Sequence, residues 1–222
     1  FAQRLEVKDV PALPRDLSGL SRRMGAPIKV LLGVNLLRRL NATIDFYAGQ
    51  FVVRAFSPPP PPEGSALPVS YLKGGGMALR ARFGSEPSAR AAALLVDTGV
   101  MFPLAMDADG WKKAGVSPEK FEPVQGQPGV TQGTVPRLTL GGFDIPGVPG
   151  VYGLPLGDFE KENDVHLDGL LGSALVAEFR WTLVDGGRTL WLEEMPTALP
   201  EAPPQPDGQA PPASPETPPA TP

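Results

Sequence analysis

A pattern of a glycine, a short helix and a hairpin occurs twice in this chain of 222 residues, at positions 139 residues apart. The first copy follows Gly33 and the second follows Gly172, and side chains of similar character recur at the same offset. The matching pairs are Leu36 with Leu175, Leu40 with Phe179, Thr43 with Thr182, Ile44 with Leu183, Phe51 with Leu190 and Val53 with Leu192. Solenoid proteins repeat every 20–50 residues or so, and a single longer repeat is typical of duplicated lobes. The sequence therefore predicts two related parts.

The first copy predicts three short elements. Residues 28–33 form an apolar run closed by a glycine and are predicted to be a short strand, and residues 34–40 place leucines at helical spacing. Residues 43–54 contain two β-branched and aromatic runs around Ala48-Gly49, which predicts a hairpin. The second copy predicts the same order of elements.

The segment between the two copies is dominated by strand patterns. Met77–Phe83 alternates apolar residues with arginines, and short apolar runs on either side of Gly141-Gly142 predict another hairpin. Residues 89–96 begin with alanines, which favour a helix, but they follow an alternating strand after a short turn, so we predict a strand. A short helix is predicted around residues 107–114. The predicted fold class is mainly β with short helices.

Proline-rich stretches set the predicted boundaries. The five prolines at 58–62 cannot continue a strand ladder, and they favour a stiff spacer over a recognition motif for a partner. The C-terminal residues are almost entirely proline, alanine and polar, which predicts disorder. The predicted organisation is half a lobe at 1–57, a linker at 58–66, a complete lobe at 67–196 and a tail at 197–222.

Composition excludes several classes of function. A net charge of -4 provides no basic surface for nucleic acid, and no apolar run reaches the roughly 20 residues of a membrane span. The absence of cysteine and the single histidine, His166, exclude thiolate metal sites, cysteine nucleophiles and histidine-rich metal sites. We therefore predict no cofactor and no metal. Composition does not settle the compartment, and our interpretation leans towards an extracytoplasmic one, periplasmic or secreted.

A candidate site follows the apolar run of residues 94–96, which ends abruptly in Asp97-Thr98-Gly99. A carboxylate at the end of a buried strand is partly desolvated, so its pKa is adjustable by its neighbours. Thr98 adds a hydroxyl, and Gly99 permits a tight turn or a close backbone approach. The same three residues also form ordinary turns in which the aspartate bonds its own backbone. Their meaning therefore depends on the surrounding sequence.

That surrounding sequence resembles an aspartic-protease lobe. Residues 95–99, the later Leu170-Leu171-Gly172 and a closing hairpin together resemble the retropepsin-like and bacterial pepsin-like families. The resemblance covers residues 69–194 as one complete lobe and residues 5–56 as the second half of another. It implies an acid-protease-like closed β-barrel lobe with short helices, plus half of a second, homologous lobe.

The resemblance also assigns roles to residues. It implies that Asp97 is catalytic, that Thr98 and Gly99 support the active-site loop, and that Leu171 and Gly172 pack beside it. A flap is implied within residues 126–134, at Gly129, Val130, Thr131, Gln132 and Gly133. The chain departs from the family in having Val100-Met101-Phe102 after the glycine, where a hydroxyl is common, and in having no tyrosine in the flap.

The chemistry of that family requires two aspartates that share a proton. One acts as a base on water, and the other donates to the carbonyl oxygen of the scissile peptide. The repeat offset places the partner of Asp97 roughly forty residues before Phe1. We expect that aspartate in an upstream segment rather than in a second copy related by a two-fold axis. A chain that begins with phenylalanine instead of methionine is consistent with a processed product or a fragment.

The resemblance predicts an aspartic endopeptidase acting on peptides or proteins. Two alternatives stay open: a catalytically inactive protease-like binding or structural module, and an unrelated β-barrel in which Asp-Thr-Gly is a turn. Among other polar residues, Asp168 is predicted to begin a turn and His166 to be an exposed loop histidine. The acidic residues within 158–164 are predicted to form a solvated loop rather than a calcium site, because the spacing lacks the glycine and terminal glutamate of an EF-hand.

Overall fold

The computed structural model describes residues 8–84, 86, 88–153 and 156–195. The predicted tail at 197–222 lies outside the described residues. Within the described part, the helices are α1 (Ser18–Met24), α2 (Val34–Leu37), α3 (Ala108–Lys113), α4 (Gly157–Asn163) and α5 (Ser173–Val176). The strands are β1 (Asn41–Asp45), β2 (Gln50–Arg54), β3 (Ser65–Tyr71), β4 (Met77–Phe83), β5 (Arg90–Asp97), β6 (Leu104–Met106), β7 (Glu122–Pro123), β8 (Thr131–Leu140), β9 (Phe143–Tyr152), β10 (Gly169–Gly172), β11 (Phe179–Val184) and β12 (Thr189–Glu194).

Six of these strands close into a barrel. The order is β4-β5-β10-β6-β9-β8, and β8 pairs back onto β4 to complete the ring. The sheet also continues from β4 through β3, β12, β11 and β1 to β2. The main core contains the apolar faces of both parts, from Leu79 and Leu94 in the barrel to Trp181 and Leu192 outside it. The predicted mainly β fold with a closed barrel and short helices is confirmed.

The barrel strands form where apolar and polar residues alternate, or where the sequence is uniformly apolar. Arg80 and Arg82 of β4 are exposed, whereas the residues between and around them are buried. The alanine-rich β5 is a strand, as predicted, because it lies between β4 and β10 and bonds to both. The four residues of β10 are all buried, as expected of a strand that is parallel to one neighbour and covered on both faces.

Two local predictions are wrong. Residues 28–33 do not form a strand, because no strand in the described part of the chain lies beside them, and a lone strand has no partner for its backbone groups. Residues 158–164 are not a loop, because α4 covers residues 157–163. Phe159 of α4 packs against a buried apolar cluster, which explains why this acidic segment is held against the barrel.

The proline run connects β2 to β3, which are separated in the sheet by β1, β11 and β12. Pro58, Pro59 and Pro61 line a polar cavity of about 250 Å³, together with Asp45 and Arg180. The last two residues of the predicted linker, Ser65 and Ala66, already belong to β3. Among the described residues, no helix has the length and apolar character needed to cross a membrane.

Candidate active site

Asp97 is the last residue of β5, and its side chain folds back onto the turn that follows. The N–H of Gly99 donates to Asp97 Oδ1 at 2.8 Å, and the N–H of Val100 donates to the Asp97 carbonyl at 3.2 Å. Asp97 is half-buried, whereas Thr98 and Gly99 are exposed. The aspartate therefore does bond its own backbone, as in an ordinary turn, and it lies where a buried strand reaches the surface.

The β10 strand holds the other side of this loop. It runs parallel to β5 with Leu171 opposite Val96 and Gly172 opposite Asp97. The N–H of Gly172 donates to the Pro103 carbonyl at 3.0 Å. Ser173 donates twice to the Val100 carbonyl, from its N–H at 2.7 Å and from its hydroxyl at 3.0 Å. The loop from Asp97 to Pro103 is thus fixed by backbone bonds to the start of α5.

Close packing explains the glycine at position 172. A Cβ there would overlap the carbonyl oxygen of Phe102 and lie 2.6 Å from that of Val100. The Val100 oxygen is not able to withdraw without breaking bonds, since it accepts both bonds from Ser173. Leu171, which is fully buried, anchors the same strand in the main core. These two residues lie beside the Asp97 loop.

Asp97 has few charged or hydrogen-bonding neighbours among the described residues. In the part of the chain that the structure describes, its carboxylate accepts the bond from Gly99 and has no lysine, arginine or histidine nitrogen within ion-pairing distance. The oxygens of a carboxylate accept hydrogen bonds from water or from a protonated carboxyl group. The site therefore provides one acid–base group at an accessible surface.

The residues predicted as a flap lie in a hairpin. Thr131 and Gln132 pair with β7, and the N–H of Val124 donates to the Val130 carbonyl at 2.9 Å, with Gly129 in the turn before them. Gly133 faces the Phe121 ring, which a Cβ at this position would overlap.

A second buried cluster connects this hairpin to the Asp97 loop. Val124 and Val130 of the hairpin and Val100 and Phe102 of the loop all pack against it. The cluster consists of Ala78, Leu95, Ala105, Val151, Leu156, Leu167 and Leu170. The hairpin and the Asp97 loop therefore pack against the same apolar cluster.

Asp168 has a larger role than the predicted turn. Its side chain is only 3% exposed, its Oδ2 accepts from the Ala93 N–H at 2.8 Å, and its own N–H donates to the Ala93 carbonyl at 2.8 Å. Lys113 Nζ lies 2.5 Å from Oδ1, as an ion pair without an aligned hydrogen bond. Asp168 thus joins β5, α3 and the start of β10. The sequence carries no local signal for this role, because the partners Ala93 and Lys113 are distant along the chain.

His166 is exposed, as predicted, but it is not isolated. Its Nδ1 lies 3.0 Å from Glu160 Oε1, and its Nε2 lies 3.6 Å from Asp168 Oδ1. Glu160 Oε1 also accepts from the Leu167 N–H at 2.7 Å. This group ties α4 to the segment that leads into β10.

No protein-family model and no curated protein matches this sequence. Among solved structures, the chain is similar to a retropepsin-like aspartic protease from Rickettsia conorii, with 18% identity, a TM-score of 0.43 and coverage of 59% of this chain and 91% of that one. It is also similar to an aspartic proteinase from Irpex lacteus, with 18% identity, a TM-score of 0.40 and coverage of 65% of this chain and 50% of that one.

Proposed function

We propose that this chain is part of an aspartic endopeptidase and that Asp97 is one of its two catalytic aspartates, the second lying outside these 222 residues. The observation that supports the proposal is the position of Asp97. Its carboxylate lies at the surface end of the buried β5–β10 pair, with one oxygen oriented by the Gly99 N–H and no cation beside it among the described residues. A general base has to be held in a fixed position within reach of the water that it deprotonates.

The proposed reaction uses the two carboxyls in complementary states. The ionised one removes a proton from water as the water oxygen attacks the carbonyl carbon of the peptide, and the protonated one donates to the carbonyl oxygen. The carboxyl that took the proton from water then gives it to the peptide nitrogen as the C–N bond breaks, and the other carboxylate takes back its proton as the C=O bond re-forms. Thr98 and Gly99 are exposed, which leaves their backbone and the Thr98 hydroxyl accessible to a second loop. The hairpin at residues 129–133 would cover a peptide or protein substrate.

The test is peptide hydrolysis by the full-length protein at acidic pH, with pepstatin as the inhibitor. Asp97→Asn keeps the size of the side chain but removes its ability to act as a base, so we expect kcat/KM to fall on the order of 10³-fold or more. The matched control is Asp158→Asn, an exposed position in α4, which should leave the activity unchanged.

Unchanged hydrolysis in the Asp97→Asn variant would overturn the proposal. A wild-type protein that hydrolyses no peptide under these conditions would instead favour the alternative, a catalytically inactive protease-like binding or structural module.

A further inference from the structure

The cavity of about 250 Å³ under the proline run lies apart from the candidate active site. Its floor is one face of β2, β1, β11 and β12, and its roof is formed by Pro58, Pro59 and Pro61. Its lining includes no residue of the Asp97 loop or of the hairpin at 129–133. Pockets for drug-sized ligands have volumes of roughly 300–1,000 Å³, so this cavity suits a smaller molecule.

The floor of the cavity is polar and buried. Side chains alternate along a strand, so Ile44 and Trp181 pack into the main core while their neighbours point to the opposite face. These neighbours include Thr43, Asp45 and Thr182, which are only 7%, 6% and 5% exposed. Buried polar groups require hydrogen-bonding partners, from the protein, from water or from a ligand. The floor is therefore suited to a polar occupant.

The roof of the cavity is held in place at both ends. The Ser57 hydroxyl donates to Asn41 Oδ1 at 3.0 Å, and the N–H of Gly64 donates to the Pro61 carbonyl at 3.1 Å. A Cβ on Gly64 would overlap the Pro61 ring, so the chain turns closely around that proline. Proline also has a fixed φ. Because the roof is ordered in advance, a ligand that binds beneath it does not have to order it.

One end of the cavity carries a positive charge. Arg54 Nη1 donates to the Thr43 hydroxyl at 2.6 Å, and the same hydroxyl lies 3.0 Å from that of Thr182. In the part of the chain that the structure describes, no carboxylate lies within ion-pairing distance of Arg54. A guanidinium group has five N–H donors in a planar fork that matches a carboxylate. This end is therefore suited to a carboxylate, and the exposure of Arg54 makes it accessible from solvent.

The other end carries a net negative charge, because two carboxylates share one guanidinium group. Arg180 Nε donates to Asp45 Oδ2 at 2.8 Å, whereas Arg180 Nη1 lies 3.5 Å from Glu193 Oε1. The second distance is longer than that of a strong hydrogen bond, so Glu193 retains the capacity to accept one. This end is therefore suited to an ammonium group.

The spacing of the two ends selects the length of the ligand. Arg54 is bonded at Thr43, and the negative end begins at Asp45, two residues further along β1 and thus about 7 Å away. A free amino acid carries its ammonium and its carboxylate on the same carbon. Two extended residues span about 7 Å, so the two charges of a dipeptide lie at about the required distance.

We infer that this cavity binds a dipeptide, with its carboxylate on Arg54, its ammonium on Glu193 and its carbon atoms between Val52 and the prolines. The inference does not rest on the proposed function, because it uses neither Asp97 nor the hairpin at 129–133.

Calorimetric titration of the full-length protein with L-alanyl-L-alanine tests the inference. We expect saturable binding of one dipeptide per chain. L-alanyl-L-alanine amide lacks the carboxylate, N-acetyl-L-alanyl-L-alanine lacks the ammonium, and free L-alanine is too short. Each should bind about tenfold more weakly or worse, because each loses a charge-assisted hydrogen bond. No binding of the dipeptide, or equal affinity for all four compounds, would show a cavity for water only and overturn the inference.

Two variants test the two ends separately. Arg54→Gln should weaken dipeptide binding about tenfold or more, and Arg80→Gln, at an exposed arginine of β4, is the matched control that should leave it unchanged. Glu193→Gln should weaken binding of the dipeptide but not of its N-acetyl form. Wild-type affinity in Arg54→Gln would overturn the inference. An equal loss for both ligands in Glu193→Gln would show a structural role for Glu193 and would overturn it as well.

The Asp97→Asn variant separates this cavity from the candidate active site. Since Asp97 does not line the cavity, the variant should bind the dipeptide as the wild type does. Loss of binding in Asp97→Asn would place the dipeptide at the candidate active site and overturn the inference. A protein that binds the dipeptide but hydrolyses no peptide would count against the proposed function only.

Discussion

Residues 30–37 and 169–176 have similar sequences and different surroundings. Both contain a leucine pair, a glycine and a four-residue helix, yet one leucine pair is buried and the other is largely exposed. Local sequence is sufficient for the extended glycine and the helix in both regions. Burial of the leucines depends on the neighbouring strand, which only the second region has among the described residues. A strand-like sequence thus shows only that a segment is able to pair. Whether the segment forms a strand depends on the presence of a neighbouring strand.

The largest expected difference in stability between the two regions concerns their glycines. In the 222-residue chain, Gly172→Ala should lower the free energy of unfolding by about 3 kcal/mol, because the methyl overlaps fixed carbonyl oxygens. Gly33→Ala should change it by less than about 0.5 kcal/mol, because a Cβ on Gly33 meets nothing within 4 Å. Urea unfolding of both variants measures the two values. Equal losses would show that the open space beside Gly33 is not a real difference.

A second contrast lies four residues before each glycine. Asp168 is a buried anchor, whereas the equivalent position 29 is an exposed lysine. Asp168→Asn should cost about 2 kcal/mol, because it removes the charge that pairs with Lys113 and weakens the acceptor for Ala93. Lys29→Gln should be close to neutral. If Asp168→Asn unfolds at the same urea concentration as the wild type, the anchor does not stabilise β10.

The pairing of β1 with β11, in which Thr43 lies opposite Thr182, makes a smaller contribution. Thr43 and Thr182 exchange one hydrogen bond between hydroxyls, and Arg54 donates a further bond to Thr43. A double-mutant cycle of Thr43→Val and Thr182→Val should give a coupling of about 1 kcal/mol. A coupling near zero would mean that the two regions pair through their backbones alone.

The smallest effect is a pH dependence of the contact between the regions. Burial raises the pKa of Asp45, but the N–H groups of Ala48 and Tyr47 and the Arg180 guanidinium outweigh it and bring the pKa below its ordinary value of 3.8. A carboxyl with a lowered folded-state pKa stabilises the protein above its unfolded-state pKa, and it loses this contribution as pH falls through the folded-state pKa.

Asp45→Asn should therefore cost about 0.5–1 kcal/mol at neutral pH, since Arg180 is partly exposed. The difference from wild type should begin to shrink as pH falls below 3.8 and should vanish only below the lowered folded-state pKa. Thermal unfolding of both proteins across the acidic range measures it. A difference that persists unchanged at the lowest pH would exclude the ionised carboxylate as its source.

Much of the barrel could be predicted because its signals are local. The alternation of β4, the turn at Gly141-Gly142 and the abrupt end of the apolar run at Asp97 all correspond to observed strands or turns. Gly172 could be placed beside Asp97 only through the family resemblance, because nothing local specifies a parallel pair so distant in sequence.

Other features depend on distant partners and left no local pattern. Asp168 resembled the first residue of a turn, and its anchoring role comes from Ala93, which is 75 residues away, and from Lys113. The acidic residues of α4 suggested a solvated loop, and the helix is held by Phe159 against the second cluster. Residues 28–33 have the composition of a strand but lack the partner that a strand requires.

The central claim, that Asp97 shares catalysis with a second aspartate, is tested most directly by the pH dependence of kcat/KM for peptide hydrolysis by the full-length protein. A proton-sharing pair is active only when one carboxyl is ionised and the other is protonated, which predicts a bell-shaped profile with both limbs below neutral pH. The acidic limb is protonation of the base, and the alkaline limb is loss of the shared proton. A profile that rises to a plateau and remains flat through alkaline pH would show a single essential base and contradict the pair.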